Sequence, residues 1–328
     1  MNSIKKMMLS GALGCLISGM AYADGSSPQP VKPYWQDIQV VAVNKEKPRS
    51  SFMSYADRET ALTSRFEKSP YYSLLNGTWK FFFVDSYKDL PQNITDPSVN
   101  TSSWDDITVP GNWEVQGHGV AIYTNHGYEF KPRNPQPPLL PEANPVGVYR
   151  RDIEIPAGWD NRDIYLHIGG AKSGLYVYLN GKEVGYSEDS KNPAEFLINK
   201  YLQPGKNVLT LKIFRWSTGS YLECQDFWRM SGIERDVFLW SQPKASIQDF
   251  RVVSTLDDTY TNGIFKLAVD LKNHTQETKN LNVGYELLDA KGNLMASEAN
   301  DIWVSPASPQ TASFEYDLKN VAPWSAEH

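Results

Sequence analysis

The stretch Ile164–Ser187 reads IYLHIGGAKSGLYVYLNGKEVGYS. Ile164, Leu166 and Ile168 alternate with Tyr165 and His167, and Leu175, Val177 and Leu179 alternate with Tyr176 and Tyr178. Successive side chains of a strand point to opposite faces, so this period of two predicts strands with one face on a core and the other half-exposed. Asn180-Gly181 follows at once, flanked by apolar residues. A two-residue type I′ turn needs positive φ at both central residues, which Asn and Gly tolerate, so the pair predicts a tight antiparallel hairpin.

The same signals spread outward. Asn76-Gly77 precedes Trp79-Lys80-Phe81-Phe82-Phe83-Val84, in which Trp79 and Phe81 are expected in the core, and Ile153 and Ile155 alternate with Asp152 and Glu154. Pro204-Gly205 marks a turn before Val208–Phe214, and Asp236–Trp240 reads as a return strand. Many short strands with frequent turns and no βαβ rhythm predict an all-β sandwich. Asp57–Lys68 is expected to form a short helix. Between Val109 and Val148 the alternation fails, and seven prolines are interspersed with Tyr123, His126, Tyr128 and Phe130. A loop this long within a compact domain is commonly functional. Past Ser241–Ala245 a second strand set begins, with Phe265, Leu267, Val269 and Leu271, then Leu281, Val283, Tyr285 and Leu287, then Phe314, Tyr316 and Leu318. The pattern is immunoglobulin-like, yet four or five strands are visible where that sandwich needs about seven, so an incomplete domain and a truncated chain are expected. The expected division is 1–23 signal peptide, 24–50 extended leader, 51–241 first sandwich and 242–328 second sandwich.

Of the 328 residues, 41% are hydrophobic, and the net charge of −6 has no basic stripe. These values exclude wholesale disorder and give no footing for nucleic acid or an anionic membrane surface. Lys5 and Lys6, the apolar run Met7–Met20 and Ala21-Tyr22-Ala23 fit an export signal cut before Asp24. The run is short of the ~20 residues of a spanning helix. A lipoprotein route through Cys15 fits less well, because Ala12-Leu13-Gly14 is a poor box. The expected location is therefore periplasmic or secreted. With the signal removed, Cys224 is the single cysteine, which leaves no intramolecular disulfide; its acidic neighbours disfavour the thiolate.

No nucleophile elbow, phosphate loop or dinucleotide fingerprint is present, and the histidines (118, 126, 167, 274 and 328) lack metal-ligand spacing. The chemistry concentrates in Phe214–Trp240, FRWSTGSYLECQDFWRMSGIERDVFLW. Glu223 and Asp226 have the composition of a glycosidase pair, but such pairs face each other across a pocket ~5–5.5 Å apart in retaining enzymes and usually come from different strands. The nearby Arg229, Glu234 and Arg235 instead predict an ion-pair network fixing the loop, with the tryptophans bracing it. Exposed Trp and Tyr with Asn and Asp form the vocabulary of sugar recognition, rings against C–H faces and polar groups against hydroxyls. The bland alternative is that these aromatics fill a β core.

Several long motifs in order then identify a resemblance. They are Leu75-Asn-Gly-Thr-Trp-Lys-Phe81, Val109-Pro-Gly-Asn-Trp113, Ile122-Tyr-Thr-Asn125, Glu142-Ala-Asn-Pro-Val-Gly-Val-Tyr-Arg150, Gly185-Tyr-Ser-Glu-Asp-Ser-Lys-Asn-Pro-Ala-Glu-Phe196 and, most sharply, Arg215–Ile233. From about Trp35 onward the chain resembles the N-terminal part of the glycoside hydrolase family 2 β-galactosidases. The resemblance implies a jelly-roll sugar-binding domain followed by an incomplete immunoglobulin-like domain. The acid/base and nucleophile glutamates would lie on a (β/α)₈ barrel, so no catalytic residue is expected in this chain, and the chain alone is expected to be inactive. It also implies that Asn125 touches galactose and that Asp226 binds galactose and ligates sodium, with a divalent cation, magnesium or calcium, held mostly by residues elsewhere. The implied partners are β-galactoside sugars, and a homo-oligomer is possible. One departure is Cys224, where the best-known members carry Asp, which removes a negative charge beside the site. Other readings are a free-standing carbohydrate-binding module or another specificity of the family, such as glucuronidase or mannosidase.

Overall fold

The computed structural model describes residues 32–130 and 134–327; the expected signal peptide, and the leader up to residue 31, lie outside them. The Asn180-Gly181 turn forms as the sequence predicts. Asn180 and Gly181 have φ of 53° and 78°, and the turn joins Gly174–Leu179 to Lys182–Ser187. These two strands belong to a seven-stranded antiparallel sheet. From edge to edge it runs Ala42–Val43, Lys182–Ser187, Gly174–Leu179, Asn207–Phe214, Val146–Ile153, Gly77–Val84 and Asp105–Val109. A four-stranded sheet faces it, in the order Ala194–Leu197, Arg162–Ile168, Val237–Pro243 and Tyr72–Leu74. Neighbours in each sheet are mostly distant in sequence, which is the crossover pattern of a jelly roll.

The inward positions form one core. Trp79, Phe81, Tyr149, Val177 and Leu211 from the larger sheet meet Leu166, Phe196 and Leu239 from the smaller. The outward positions depart from expectation, because Tyr165, Tyr176 and Tyr186 are buried as well. A second apolar layer covers them. On the larger sheet, Trp35 stacks on Phe214 at 5.0 Å, and the segment carrying Ile94 and Trp104 closes over Val146 and Val148. Arg150 holds that segment from beneath, donating to the carbonyls of Ile94, Asp96 and Val99. On the smaller sheet, Met53, Tyr165, Phe238 and Trp240 form a further cluster.

The expected helix over 57–68 is split. Asp57 caps Arg58–Leu62 by accepting from Thr60 N, Ser64 turns to positive φ, and Phe66–Lys68 resumes as a 3-10 turn. The second strand set forms two small sheets. One holds Ala245–Leu256, Gly263–Asn273 and Gln310–Leu318; the other pairs Lys279–Leu288 with Leu294–Val304. Phe265, Leu267, Val269, Val283, Val304 and Phe314 fill the space between them, giving an immunoglobulin-like sandwich of five strands among the described residues. Polar ties join it to the first sandwich: Ser50 N donates to Asp249 Oδ1 at 2.9 Å, and His274 Nδ1 lies 2.7 Å from Asp163 Oδ2.

Candidate functional site

The Pro-rich segment between Val109 and Val148 contains a short strand, Ile122–Thr124, which pairs antiparallel with Phe227–Arg229. The register sets Thr124 against Phe227, Tyr123 against Trp228 and Ile122 against Arg229. The last pair at one end is Thr124 with Phe227, so Asn125 and Asp226 are the residues that flank that end. The two sequence-predicted site residues thus flank the same end of the ribbon, and both are exposed. Tyr123 Oη donates to Asp226 Oδ1 at 2.8 Å. This bond, together with the carboxylate's charge, raises the Tyr123 phenol above its ordinary range. Asn125 Oδ1 lies 2.7 Å from His126 Nδ1. The rings of Tyr123 and Trp228 are 5.7 Å apart, and both side chains are more than half exposed.

Beneath the ribbon the side chains are buried and polar. Arg229 is 1% exposed; its Nη1 donates to the Glu223 carbonyl at 3.1 Å, and its Nε lies 3.7 Å from Glu129 Oε2. Glu129 Oε1 accepts from Trp216 Nε1 at 3.0 Å. Trp216 is in turn clamped at its backbone by Asn144, whose side chain both accepts from Trp216 N and donates to Trp216 O. Phe130 packs against Trp216 and Tyr221, and Tyr128 against Tyr221. The irregular segment is therefore anchored by one acid and two rings. The loop at 218–219 is held by Glu188, which accepts from Thr218 Oγ1 at 2.9 Å and Gly219 N at 2.6 Å. Burial pushes the Glu188 carboxyl up, against those hydrogen bonds.

Two expectations need correction. The charged residues of Phe214–Trp240 do not pair with one another. Glu223 accepts from Ser190 N and Oγ, Glu234 pairs with Lys191, and Arg235 donates to the carbonyls of Gly169 and Lys191. Each charge ties the stretch to another segment, because a strand–loop–strand element directs neighbouring side chains apart. Nor do all the tryptophans brace the loop, since Trp228 faces solvent beside Tyr123. Glu223 and Asp226 likewise have separate partners.

Cys224 donates Sγ–H to the Ser220 carbonyl at 3.0 Å; burial and then the nearby Glu129 carboxylate push its thiol up. Asp226 Oδ2 accepts no hydrogen bond among the described residues, so it is open to a cation or a hydroxyl. No group of three or more His, Cys, Asp or Glu is arranged to hold a metal ion among those residues. They do not form a complete seat for magnesium or calcium, which take six or more oxygen ligands or keep several waters.

Two family models match the chain. Residues 72–243 match the sugar binding domain of glycosyl hydrolases family 2, and residues 245–328 match a second model of glycosyl hydrolases family 2. A β-galactosidase of Priestia megaterium (strain DSM 319 / IMG 1521) is 37% identical over 299 residues, covering 90% of this chain and 29% of the relative. A β-galactosidase of Actinobacillus pleuropneumoniae is 38% identical over 259 residues, covering 79% and 24%. The chain thus spans under a third of the length of the curated relatives it matches. Among solved structures, a Bacteroides uniformis β-glucuronidase aligns with a TM-score of 0.63 at 20% identity, covering 77% of this chain and 28% of that one. A Bacteroides vulgatus β-glycosidase aligns at 0.57 and 20%, covering 78% and 30%. At such identities the likeness speaks for the fold.

Proposed function

The chain belongs to glycoside hydrolase family 2, and from that premise we propose that it forms the non-catalytic, sugar-contacting part of a retaining β-galactosidase. The observation that carries this reading is the Tyr123–Asp226 bond at the end of the ribbon that Asn125 also flanks. An amide and a carboxylate at the same end of the ribbon provide both donors and acceptors for sugar hydroxyls, and hydrogen bonds to the ionised carboxylate are the stronger. The Tyr123 phenol fixes one carboxylate oxygen and leaves Oδ2 for a hydroxyl or for sodium. Sodium bound there would neutralise Asp226 and share a sugar hydroxyl with it. The glutamates that protonate the leaving group and form the galactosyl-enzyme lie outside these residues in this reading. The enzyme is exported, and β-galactosides are its substrates.

The test uses the purified chain. It is expected not to hydrolyse a chromogenic β-galactoside, and galactose in the presence of sodium is expected to shift the Asn125 side-chain amide resonances. Asp226→Ala should abolish that shift. Turnover by the chain, or an Asn125 shift unaffected by Asp226→Ala, overturns the reading.

A further inference from the structure

Away from the ribbon, residues 45–52 cross the outer face of the smaller sheet and roof a cavity of about 290 Å³, at the lower limit of the ~300–1,000 Å³ typical of ligand pockets. Phe52, Phe66 and Phe238 give it apolar walls, and His167, Asp189 and Asn192 give it polar ones. His167 stacks on Phe238 with ring centroids 4.2 Å apart, and its Nδ1 is 2.8 Å from Glu195 Oε1. Glu195 also accepts from Arg49 and from Trp240 Nε1, so the carboxylate is fixed. A carboxylate on Nδ1 selects the tautomer that leaves a lone pair on Nε2. His167 Nε2 has no hydrogen-bond partner among the described residues. The histidine is therefore held in place by one nitrogen while the other is unused.

Charge at the cavity cancels: Lys45, Lys47 and Arg49 stand against Glu46, Asp189 and Glu195. A cavity without net charge, part phenylalanine and part hydrogen-bonding, matches a neutral ring with an apolar face and a hydroxylated edge. We propose that this cavity is a second sugar-binding site, distinct from the Asn125–Asp226 end, which takes a single neutral hexose or pentose ring. A sugar hydroxyl donates to His167 Nε2, Asn192 and Asp189 bind others, and the C–H face lies on the phenylalanine wall. The loop that supplies Asp189 and Asn192 also holds Glu223 through Ser190.

The experiment titrates the full chain with galactose, glucose, xylose and lactose while following the His167 imidazole and Asn192 amide resonances. At least one sugar should move both along a saturable curve, with a dissociation constant on the order of 1 mM. Ser51→Trp, at an exposed position on the rim, and His167→Gln should each weaken that binding about tenfold or more. Ser51→Trp with unchanged amide dispersion separates site blocking from misfolding. The proposal is overturned if no sugar moves these resonances, if the shifts never saturate, or if Ser51→Trp leaves them intact. Shifts confined to residues 123–126 and 226 overturn it while leaving the galactose reading of the ribbon standing.

Discussion

Arg49 sets Nε and Nη2 on the two oxygens of Glu195, at 2.9 and 2.8 Å. The pair fastens residues 45–52 to the edge strand Ala194–Leu197 and is sealed by Trp240 and Phe52, whose rings each lie 4.4 Å from the guanidinium. The Glu195 side chain is 8% exposed. Removing one partner of such a buried pair costs up to about 3–5 kcal/mol, less the part that His167 and Trp240 Nε1 retain by still bonding Glu195. Arg49→Ala should lower the urea midpoint accordingly. Arg49→Lys should recover only part of it, since an ammonium cannot span both oxygens. A loss for Arg49→Ala within the ~1 kcal/mol of an exposed ion pair would show that the fastening carries no weight.

Stability should also depend on acid through the same carboxylate. Burial raises the Glu195 carboxyl, but the hydrogen bond from His167 and the charge of Arg49 outweigh it, and the net direction is down. A group depressed in the folded state contributes stability above its unfolded pKa, about 4.3 for Glu, and loses it as pH falls through the folded value. Unfolding midpoints measured from neutral pH downward should therefore drop below about pH 4.3. Glu195→Gln should flatten this part of the profile, and an unchanged slope in that variant would assign the acid sensitivity elsewhere.

Much of the fold was legible because a strand states its own period. The hairpin at Asn180-Gly181 and the core positions Trp79 and Phe81 follow from local chemistry, and they form as read. What covers the outward tyrosines was not legible, because Trp35 reaches Phe214 from 179 positions away, a distance no periodicity encodes. The site shows the same boundary. Asn125 and Asp226 were singled out through motifs, whereas their place at the same end of one ribbon depends on a cross-strand pairing visible only in three dimensions. Glu129 was missed altogether; its one local signal is an acid set between Tyr128 and Phe130 in a segment without alternation.

Gly147 tests the tightness of the core. A Cβ there would come within 2.6 Å of the Trp113 ring and 2.7 Å of Phe81, both fully buried. The extra methyl has no space to enter without moving two large rings, and overpacking of this kind costs about 1–3 kcal/mol. Gly147→Ala should lower the thermal midpoint, and an unshifted midpoint would mean that Trp113 yields freely.

Cys224 should react slowly. The thiolate is the nucleophile, and burial together with Glu129 reduces its fraction at a given pH. Alkylation by iodoacetamide near pH 8 should be several-fold slower than for an unfolded control. Glu129→Gln removes the larger of the two carboxylate charges that raise the thiol and should speed the reaction in the folded chain. A rate equal to the unfolded control would contradict the burial of the thiol.

The Tyr123–Asp226 bond makes a prediction that separates local electrostatics from fold. Both side chains are exposed, so neither holds the core, and Tyr123→Phe or Asp226→Asn should leave the unfolding midpoint where it is. The phenol is raised first by its hydrogen bond to Asp226 and second by the carboxylate's charge. Asp226→Asn removes the charge and weakens the bond, so the Tyr123 ring resonances should titrate nearer the ordinary value of about 10. Tyr123→Phe frees Oδ1 as well as Oδ2 and should alter the response of the Asn125 amide to sodium and galactose. If the Tyr123 titration is identical in the chain and in Asp226→Asn, the two side chains are not bonded in solution, and the carboxylate lacks the orientation on which the sugar-contacting role depends.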